Sequence, residues 1–284
     1  MNLNDTFHVI STLIEICAPG VKEQGSAFFY NQLGTKDPLK EKQNVKVEAT
    51  WLITNRHVVL PKINGKEVIP DSVTFYLRKS IDERYNWEPI TISKAELLKR
   101  AKFHQNDKVD VCAIRVLDLL IEKIKDSEDY LQWGGISSEQ HPGKNNIFPE
   151  ASDDAIVIGY PRGFYDWENL YPIIKSGIIA SKWGANFNGN PYFLIDAKLF
   201  PGSSGSIVVL KPTNLTTNKN GQLFFSEEKQ FAFLGIYSGE LFQEDKPFET
   251  DELTIILKKR FNLGIVWYGI LIDEIIANGK SIEF

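Results

Sequence analysis

One serine of this chain lies between glycines, in a segment that could position a nucleophile. The segment reads Phe200-Pro-Gly-Ser-Ser-Gly-Ser206, and an apolar strand follows it at once. Glycines permit a tight backbone, which can turn N–H groups toward the carbonyl oxygen of a substrate as it becomes an oxyanion. We therefore assign Ser204 as the candidate nucleophile and the N–H groups of Gly202 and Ser204 as candidate oxyanion-hole donors. An ordinary Gly/Ser loop has the same residue types, so this segment alone leaves both interpretations open.

A base and an acid that could serve such a nucleophile lie earlier in the chain. His57 ends the run from Ala49, in which a buried-looking strand leads into a polar turn. Asp110 opens the apolar segment Val109 to Ile114, where a carboxylate without a partner would be costly to bury. A hydrogen bond to the Nδ1–H of His57 would give that carboxylate a partner and fix the tautomer of the base. An ordinary core or surface histidine and an exposed strand-end aspartate are the alternatives, with Asp107 as the second candidate acid.

The G-x-S-x-G nucleophile elbow of another hydrolase class does not fit this segment. Its fifth position is Ser206 rather than glycine, and a strand instead of a helix follows. The elbow also requires a histidine after the serine, yet all four histidines precede Ser204. They are His8, His57, His104 and His141.

Other chemistries have less support. Gly279-Lys-Ser281 is similar to the end of a P-loop, but Glu274 occupies the position of its first glycine, so we reject nucleotide binding. Two cysteines and dispersed histidines give no metal-ligand spacing, and we predict no metal and no cofactor. Aromatic residues such as Tyr165, Trp167 and Tyr171 are typical of core or loop packing, and we assign them no role.

The elements that must position the candidate residues are mostly short strands. Segments rich in Val, Ile, Phe and Tyr are separated by Gly, Pro or Asn, which favours an all-β sandwich or barrel over βαβ units. The predicted strands are His8 to Cys17, Gly25 to Tyr30, Ala49 to Asn55, Ser72 to Arg78, Val109 to Val116, Ala155 to Tyr160, Ile173 to Ser181, Tyr192 to Ala197, Ser206 to Lys211, Gln230 to Tyr237 and Gly264 to Val266.

Helices and loops separate these strands. Helical patterns occur at Lys94 to Lys102, Leu117 to Leu131 and Leu271 to Ile276. Polar segments rich in Gly, Pro, Asn or Lys predict loops at Asn31 to Glu48, Asp82 to Glu88, Trp133 to Asp154 and Lys211 to Glu228. The third loop divides the strands into comparable groups, so we predict an N-terminal half over 1–132, a linker over 133–154 and a C-terminal half over 155–284.

Composition limits the class of partner and the compartment. With 284 residues, 43% of them hydrophobic, the chain can fill a sizeable core. A net charge of -5 gives no basic field for nucleic acid, and no apolar stretch reaches the roughly 18 residues of a membrane span. We expect neither partner. The residues after Met1 lack a leader pattern, and Cys17 and Cys112 in apolar runs indicate buried thiols, so we expect a reducing, cytoplasmic location.

Together the fragments resemble the chymotrypsin-like superfamily, specifically the bacterial trypsin-like peptidases that include the HtrA/Deg enzymes. The order His57, Asp110, Ser204 agrees with that family. The similar segments are Gly25 to Tyr30, Leu52 to Val59, Asp110 to Ile114, Ile158 to Pro161, Ser176 to Ser181, Asp196-Ala197, Pro201 to Gly205, Leu234 to Ile236 and Asn262 to Val266. The resemblance implies two antiparallel six-stranded β-barrels with a few short helices and loop insertions. It also implies that Ser204 attacks, His57 shuttles the proton and Asp110 orients His57.

The chain departs from the family pattern at several positions. Ser206-Ile207 replaces the usual Gly-Pro, and Ser203 replaces the aspartate of digestive enzymes, which argues against activation by N-terminal cleavage. HtrA relatives usually continue into a PDZ domain, whereas this sequence ends eight residues after Ile276. Any regulator is therefore expected to be a separate protein or an inserted loop, or to be absent. Such enzymes often need their oxyanion loop remodelled, and Leu199 to Ser203 would be that loop in a latent form.

The resemblance also indicates where substrate specificity would reside. The primary pocket should involve residues just before Ser204 and the strand Gly235 to Glu240. Lysine in that pocket would favour an acidic substrate side chain, glutamate a basic one, and leucine alone a small or medium apolar one. The candidate lining residues are Lys198, Leu199, Tyr237, Gly239 and Glu240, and solvent exposure is the alternative for each.

These residues predict a serine endopeptidase that cleaves protein or peptide substrates through an acyl-enzyme intermediate. A latent form that awaits activation is a further hypothesis. The alternative is a catalytically silent, peptide-binding or scaffold protein on the same fold, since a fold does not fix a function.

Overall fold

The computed structural model describes residues 3–34, 45–81, 84–125, 130–144, 147–161, 164–217, 220, 222–244, 248–249, 254–255 and 258–282. The elements of its first half are α1 (Leu3–Val9), β1 (Ser11–Ala18), β2 (Val21–Leu33), β3 (Val47–Thr54), α2 (Arg56–Val59), β4 (Lys62–Ile63), β5 (Lys66–Glu67), β6 (Ser72–Ile81), β7 (Arg84–Ser93), α3 (Lys94–Arg100), β8 (Ala101–Phe103), β9 (Cys112–Arg115), α4 (Leu117–Lys125) and β10 (Tyr130–Gln132).

A short 3-10 helix, Ser138–Gln140, precedes the second half. The elements there are β11 (Asp154–Gly159), β12 (Ile173–Ile179), β13 (Tyr192–Asp196), β14 (Ile207–Leu210), β15 (Thr213–Thr217), β16 (Leu223–Gln230), β17 (Phe233–Glu244), β18 (Phe248–Glu249), β19 (Thr254–Ile255), β20 (Lys258–Tyr268) and α5 (Ile270–Asn278).

Each half builds a sheet around its own core. The first sheet has the order β10-β6-β1-β2-β3-β9-β8, with β7 paired to β6. The sheet curls around this core. As a result, Leu77 of β6 and Phe103 of β8 lie in one buried cluster with Phe29 of β2. The second half is a closed six-stranded barrel, β11-β12-β13-β20-β17-β14, filled by side chains such as Phe193 and Val208. The predicted all-β class and the six-stranded barrel of the second half are confirmed, and in the first half β7 and β10 extend the sheet to eight strands.

A third core joins the halves. Successive side chains of a strand point to opposite faces, so a strand covered on both faces reads as a continuous apolar run. In β14, Val208 faces the barrel core, whereas Ile207 and Val209 face the core between the halves. In β2, Phe29 faces the first core and Phe28 faces the core between the halves. Both halves are therefore fixed against each other by apolar burial.

Three predicted segments are wrong because their strands carry an exposed face. Arg84–Glu88 belongs to β7 rather than a loop, and its residues alternate between exposed and partly buried. The predicted loop after Lys211 contains the hairpin β15–β16, most of which is exposed. The predicted helix to Leu131 ends at Lys125, and Tyr130–Gln132 forms β10. Polar, half-exposed strands lack the apolar pattern from which strands are predicted.

Other sequence predictions differ in detail. His8 lies in α1, and the first strand begins at Ser11. Cys17 is exposed, because alternation along β1 turns Ile16 inward and Cys17 outward. Cys112 is buried, and its burial raises the pKa of its thiol. Part of the predicted loop Asn31 to Glu48, residues 35–44, lies outside the described residues. The domain division at 133–154 stays a prediction.

No described helix is long and apolar enough to cross a membrane.

Candidate active site

Pairing of β3 with β9 brings the candidate base and acid together. Thr54, the last residue of β3, pairs with Cys112 of β9, so the segments just after β3 and just before β9 lie side by side. His57 occupies the first of these segments, in the single turn α2, and Asp110 the second. The Nδ1 of His57 is 2.6 Å from Oδ2 of Asp110, and the backbone N–H of His57 donates to Oδ1 at 2.9 Å. Both carboxylate oxygens therefore fix the histidine.

Two further residues hold this acid, and neither was identified from the sequence. The side-chain amide of Asn55 donates to the Asp110 carbonyl oxygen at 2.7 Å, and the Ser238 hydroxyl donates to Oδ2 at 2.5 Å. Asn55 is fully buried, and a polar residue closing an apolar strand was the available signal. Ser238 lies in β17 of the other half, so its partner 128 positions away could not be deduced from local pattern.

The carboxylate of Asp110 sets the protonation behaviour of His57. Partial burial of the ring lowers the pKa of His57, but the hydrogen bond and negative charge of Asp110 outweigh this effect. The pKa of His57 therefore lies above its ordinary value of 6.5. The ring remains 46% exposed, which leaves it accessible to a substrate. A positioned imidazole with an adjacent carboxylate is suited to general acid-base chemistry.

The second candidate acid has other partners. The Asp107 carboxylate lies 2.7 Å from Nζ of Lys280 and 3.2 Å from Nη1 of Arg56. The hydrogen bond from Lys280 holds the pKa of Asp107 below its ordinary value. Asp107 thus belongs to a surface ion cluster, and Asp110 contacts the histidine.

The loop before the nucleophile candidate is a tight turn. The N–H of Ser203 donates to the Phe200 carbonyl at 3.0 Å, Pro201 is the second residue, and Gly202 has φ of +86°. A hydrogen bond across four residues with positive φ at the third is the geometry of a type II turn, which favours this Pro-Gly pair. The sequence thus fixes this part of the loop locally.

Two N–H groups of the loop are left without an internal acceptor among the described residues. The N–H groups of Ser203, Gly205 and Ser206 donate to carbonyls of Phe200, Tyr237 and Ser203. Those of Gly202 and Ser204 make no hydrogen bond to the described part of the chain. These are the two donors proposed from sequence for an oxyanion.

Ser26, a fully buried residue of β2, fastens this loop to the first half. Its N–H donates to the Ser204 carbonyl at 2.9 Å, and its hydroxyl donates to the Gly202 carbonyl at 3.1 Å. The N–H of Tyr160 donates to the Ser26 hydroxyl at 2.8 Å. No role for Ser26 was predicted from the sequence, although it directly follows Gly25. These contacts connect the nucleophile loop of the second half to β2 of the first half.

The hydroxyl of Ser204 donates to the carbonyl of Ser238 at 2.8 Å. No hydrogen bond between Ser204 and His57 occurs among the described contacts. Ser238 therefore contacts both ends of the site, through its hydroxyl at Asp110 and through its carbonyl at Ser204.

A cavity of about 330 Å³ opens beside Ser204. Four predicted specificity residues, Leu199, Tyr237, Gly239 and Glu240, line it, whereas Lys198 is exposed and is not part of the lining. The Glu240 carboxylate accepts a hydrogen bond from Nη1 of Arg260 at 3.2 Å. The remaining lining residues are Ser204, Arg260, Phe200, Pro201 and Phe242. The cavity therefore combines apolar walls with one neutralised ion pair.

Comparison with known proteins identifies one family. The profile of the trypsin-like peptidase domain matches residues 25–214, a segment that contains His57, Asp110 and Ser204. No significantly similar sequence was found among curated proteins.

Similar solved structures include three proteases. Active tobacco etch virus protease with its product is 9% identical, with a TM-score of 0.49 over 100% of this chain and 84% of that chain. The HtrA-type protease AlgW with a decapeptide is 12% identical, with a TM-score of 0.46 over 97% of this chain and 66% of that chain. The thermostable serine protease AL20 from an extremophilic microorganism is 13% identical, with a TM-score of 0.40 over 96% and 97% of the two chains.

Proposed function

Because this chain belongs to the trypsin-like peptidase family, we propose that it is a serine endopeptidase with His57, Asp110 and Ser204 as its catalytic triad. One observation carries the proposal. Oδ2 of Asp110 accepts hydrogen bonds from His57 and from the Ser238 hydroxyl, and the Ser238 carbonyl accepts from Ser204. The three residues are thus joined in one hydrogen-bonded chain across the two halves.

In the proposed reaction, the Ser204 hydroxyl rotates from Ser238 toward Nε2 of His57 and attacks the carbonyl carbon of the scissile peptide bond. His57 takes the hydroxyl proton and then gives it to the leaving amine, so that an acyl-enzyme forms and the new amino end departs. A water attacks the acyl carbon with His57 as base, which releases the carboxylic acid and restores Ser204. Asp110 stabilises the imidazolium in both steps.

The oxyanion is assigned to the N–H groups of Gly202 and Ser204. Their lack of an acceptor in the described chain supports this role, because preorganised donors need no rearrangement during the reaction. One such donor contributes about 3 kcal/mol to transition-state stabilisation. In the proposed resting state the Ser204 hydroxyl donates to the Ser238 carbonyl, and in the reactive state it turns toward His57.

For specificity we propose an uncharged, apolar side chain at the position before the scissile bond. Leu199, Phe200 and Pro201 supply apolar walls, and Arg260 neutralises Glu240. A peptide library compares hydrolysis after leucine and after lysine. Arg260→Gln frees the Glu240 carboxylate and should shift the preference toward lysine, whereas Lys259→Gln, on the same strand but outside the cavity lining, should not. A wild-type preference for lysine or for aspartate would overturn this assignment.

The central test replaces the nucleophile. Ser204→Ala should reduce turnover of a casein or peptide substrate about 10⁶-fold, as for triad knockouts in another serine protease. Ser206→Ala is the matched control, because its buried hydroxyl has no hydrogen-bond partner among the described residues, and it should retain activity. A fluorophosphonate probe should label wild type and Ser206→Ala, and should not label Ser204→Ala.

The outcomes separate the enzyme from its alternative. Undiminished hydrolysis by Ser204→Ala would exclude Ser204 as nucleophile. Peptide binding by a wild-type protein that neither cleaves nor labels would instead support the silent, peptide-binding function.

A further inference from the structure

A second cavity, larger than the one beside Ser204, lies apart from the triad. It has a volume of about 710 Å³ and opens between α1, the ends of β6 and β10, and the segment that carries Tyr171. It shares no lining residue with the cavity beside Ser204. Aromatic and cationic side chains dominate its wall, namely His8, Arg78, Tyr85, Tyr130, Trp133 and Tyr171.

Arg78 is the charged group of this wall, and it is 5% exposed. Its guanidinium carbon lies 4.4 Å from the ring centroid of Tyr171 and 5.3 Å from that of Tyr85. Its one hydrogen bond in the described structure goes from Nη1 to the Asn169 carbonyl, at 3.4 Å. A guanidinium carries five N–H donors, so most of them have no acceptor supplied by the described chain.

Two other arginines of the same half, unlike Arg78, have carboxylate partners in the described chain. Arg56 pairs with Glu67 and Asp107, and Arg100 pairs with Glu96 and Asp118. Both arginine side chains are 18–19% exposed, so they are less buried than Arg78. Among the described residues, no carboxylate lies within ion-pair distance of Arg78. A buried cation without a counterion is costly, since burial removes its hydration.

Ring faces offset only part of this cost. Tyrosine attracts a cation through its ring quadrupole, but the attraction is weaker than a charge-assisted hydrogen bond to a carboxylate. The desolvation that remains lowers the pKa of Arg78 below its ordinary value, and the neighbouring tyrosines oppose this shift. An anion would supply the counterion that Arg78 does not find among the described residues.

We propose that this cavity binds a small organic anion, whose carboxylate or phosphate pairs with Arg78 and whose apolar, aromatic body lies against the surrounding rings. The planar fork of a guanidinium matches two oxygens of either head group. The volume falls in the range of small-molecule sites, about 300–1,000 Å³. The remaining wall, which includes Val9, Ile124 and Leu131, offers apolar surface to the body of the ligand.

The test measures binding of 2-naphthoate to the full chain by calorimetry, with 2-naphthalenemethanol as its neutral analogue and 2-naphthyl phosphate as the second anion. The naphthoate should bind at least about tenfold more tightly than the neutral analogue, the factor expected for a charge-assisted hydrogen bond. Tighter binding of the phosphate would make phosphate the preferred head group.

Variants locate the site. Arg78→Met, which keeps a long side chain, should weaken naphthoate at least about tenfold and leave the neutral analogue unchanged. The exposed Arg115, changed in the same way, should keep wild-type affinity. Tyr130→Ala removes an exposed ring of the wall without touching the core, and serves if Arg78→Met does not fold; it should weaken both naphthalene compounds. Binding should persist in Ser204→Ala, which separates this site from the peptidase pocket.

Three results would overturn the proposal. They are absence of naphthoate binding, equal affinity for naphthoate and its neutral analogue, and affinity unchanged by both Arg78→Met and Tyr130→Ala.

Discussion

The cleft around His57 and the cavity around Arg78 differ in whether the chain supplies partners for their charged groups. In the cleft the Asp110 carboxylate accepts hydrogen bonds from the His57 ring, the His57 backbone and Ser238, so the chain itself satisfies the charge. In the cavity a more deeply buried cation meets two tyrosine rings and one distant carbonyl. In the cleft, the chain supplies the partners of the charged group, as the proposed action on a neutral peptide bond requires. In the cavity, the charged group lacks a counterion among the described residues, which favours binding of an anion.

Both regions lie where the halves of the molecule meet. Ser238 and Ser26 cross from one half to the other in the cleft. Asn169 and Tyr171 of the second half cover Arg78 of the first. The contrast therefore arises from which side chains each half presents at the junction, and substitutions at both places can test it.

Among the tests of this contrast, the largest expected effect concerns Asp110, the acid of the cleft. Asp110→Asn should lower kcat about 10⁴-fold, because an amide cannot hold the required tautomer of His57 or stabilise its imidazolium. Steady-state hydrolysis of a peptide substrate measures the loss. Asp107→Asn makes the same chemical change in a residue bonded to Lys280 and Arg56, and should leave kcat within a few-fold of wild type. Equal losses in the two variants would contradict the assignment of Asp110.

Substitution of Gly205, which packs against Ser26 of the other half, should strongly lower the free energy of unfolding. Gly205 has φ of +83°, and a Cβ there would lie 1.9 Å from the Ser26 carbonyl oxygen. Gly205→Ala should reduce the free energy of unfolding by about 3 kcal/mol or more, because backbone strain adds to a clash that separates the halves. Gly20→Ala, at φ of +75° with open space around it, should lose about 1–2 kcal/mol from strain alone. Chemical denaturation measures the stability of both variants. Equal losses would show that the contact between Gly205 and Ser26 can adjust to the added Cβ.

The pH dependence reports on the charge balance of the cleft. The raised pKa of His57 predicts that the acidic limb of kcat/KM has its midpoint above 6.5, since the base must be neutral to accept a proton. The stability contributed by the His57–Asp110 pair has the opposite sense. It is fully present below the unfolded pKa of His57 and is lost as pH rises through the folded value.

Ser238→Ala should move that limb to still higher pH, because Oδ2 of Asp110 loses a donor and interacts more strongly with the imidazolium. A limb displaced to lower pH would contradict this role of Ser238.

The smallest effect is expected in the cavity. Arg78→Met should leave the free energy of unfolding unchanged or raise it by about 1 kcal/mol, because a buried charge without a partner is replaced by an apolar side chain. Arg56→Met should lower the stability, since it leaves Glu67 without its partner. Thermal denaturation in buffer free of organic anions measures both. Greater destabilisation by Arg78→Met than by Arg56→Met would remove the contrast between the two regions.

The sequence by itself determined the strands of the cores and the local shape of the nucleophile loop. Ile207–Leu210 is buried on both faces and reads as an uninterrupted apolar run. Pro201 and Gly202 specify their turn through backbone preferences that need no distant partner. The strands β7, β15 and β16 escaped prediction, because an exposed face removes the hydrophobic pattern that identifies a strand.

Only the tertiary structure decided the partners that act across the halves. Ser238 meets Asp110 across 128 positions and Ser26 meets Gly202 across 176, and no local pattern encodes such a distance. Alternation along β6 turns Phe75 and Leu77 inward and assigns Arg78 to the outer face, where a strand arginine is normally solvated. The segment carrying Tyr171 covers that face, and burial of the cation is therefore a property of the assembled fold, since the energy of a charge depends on everything packed around it.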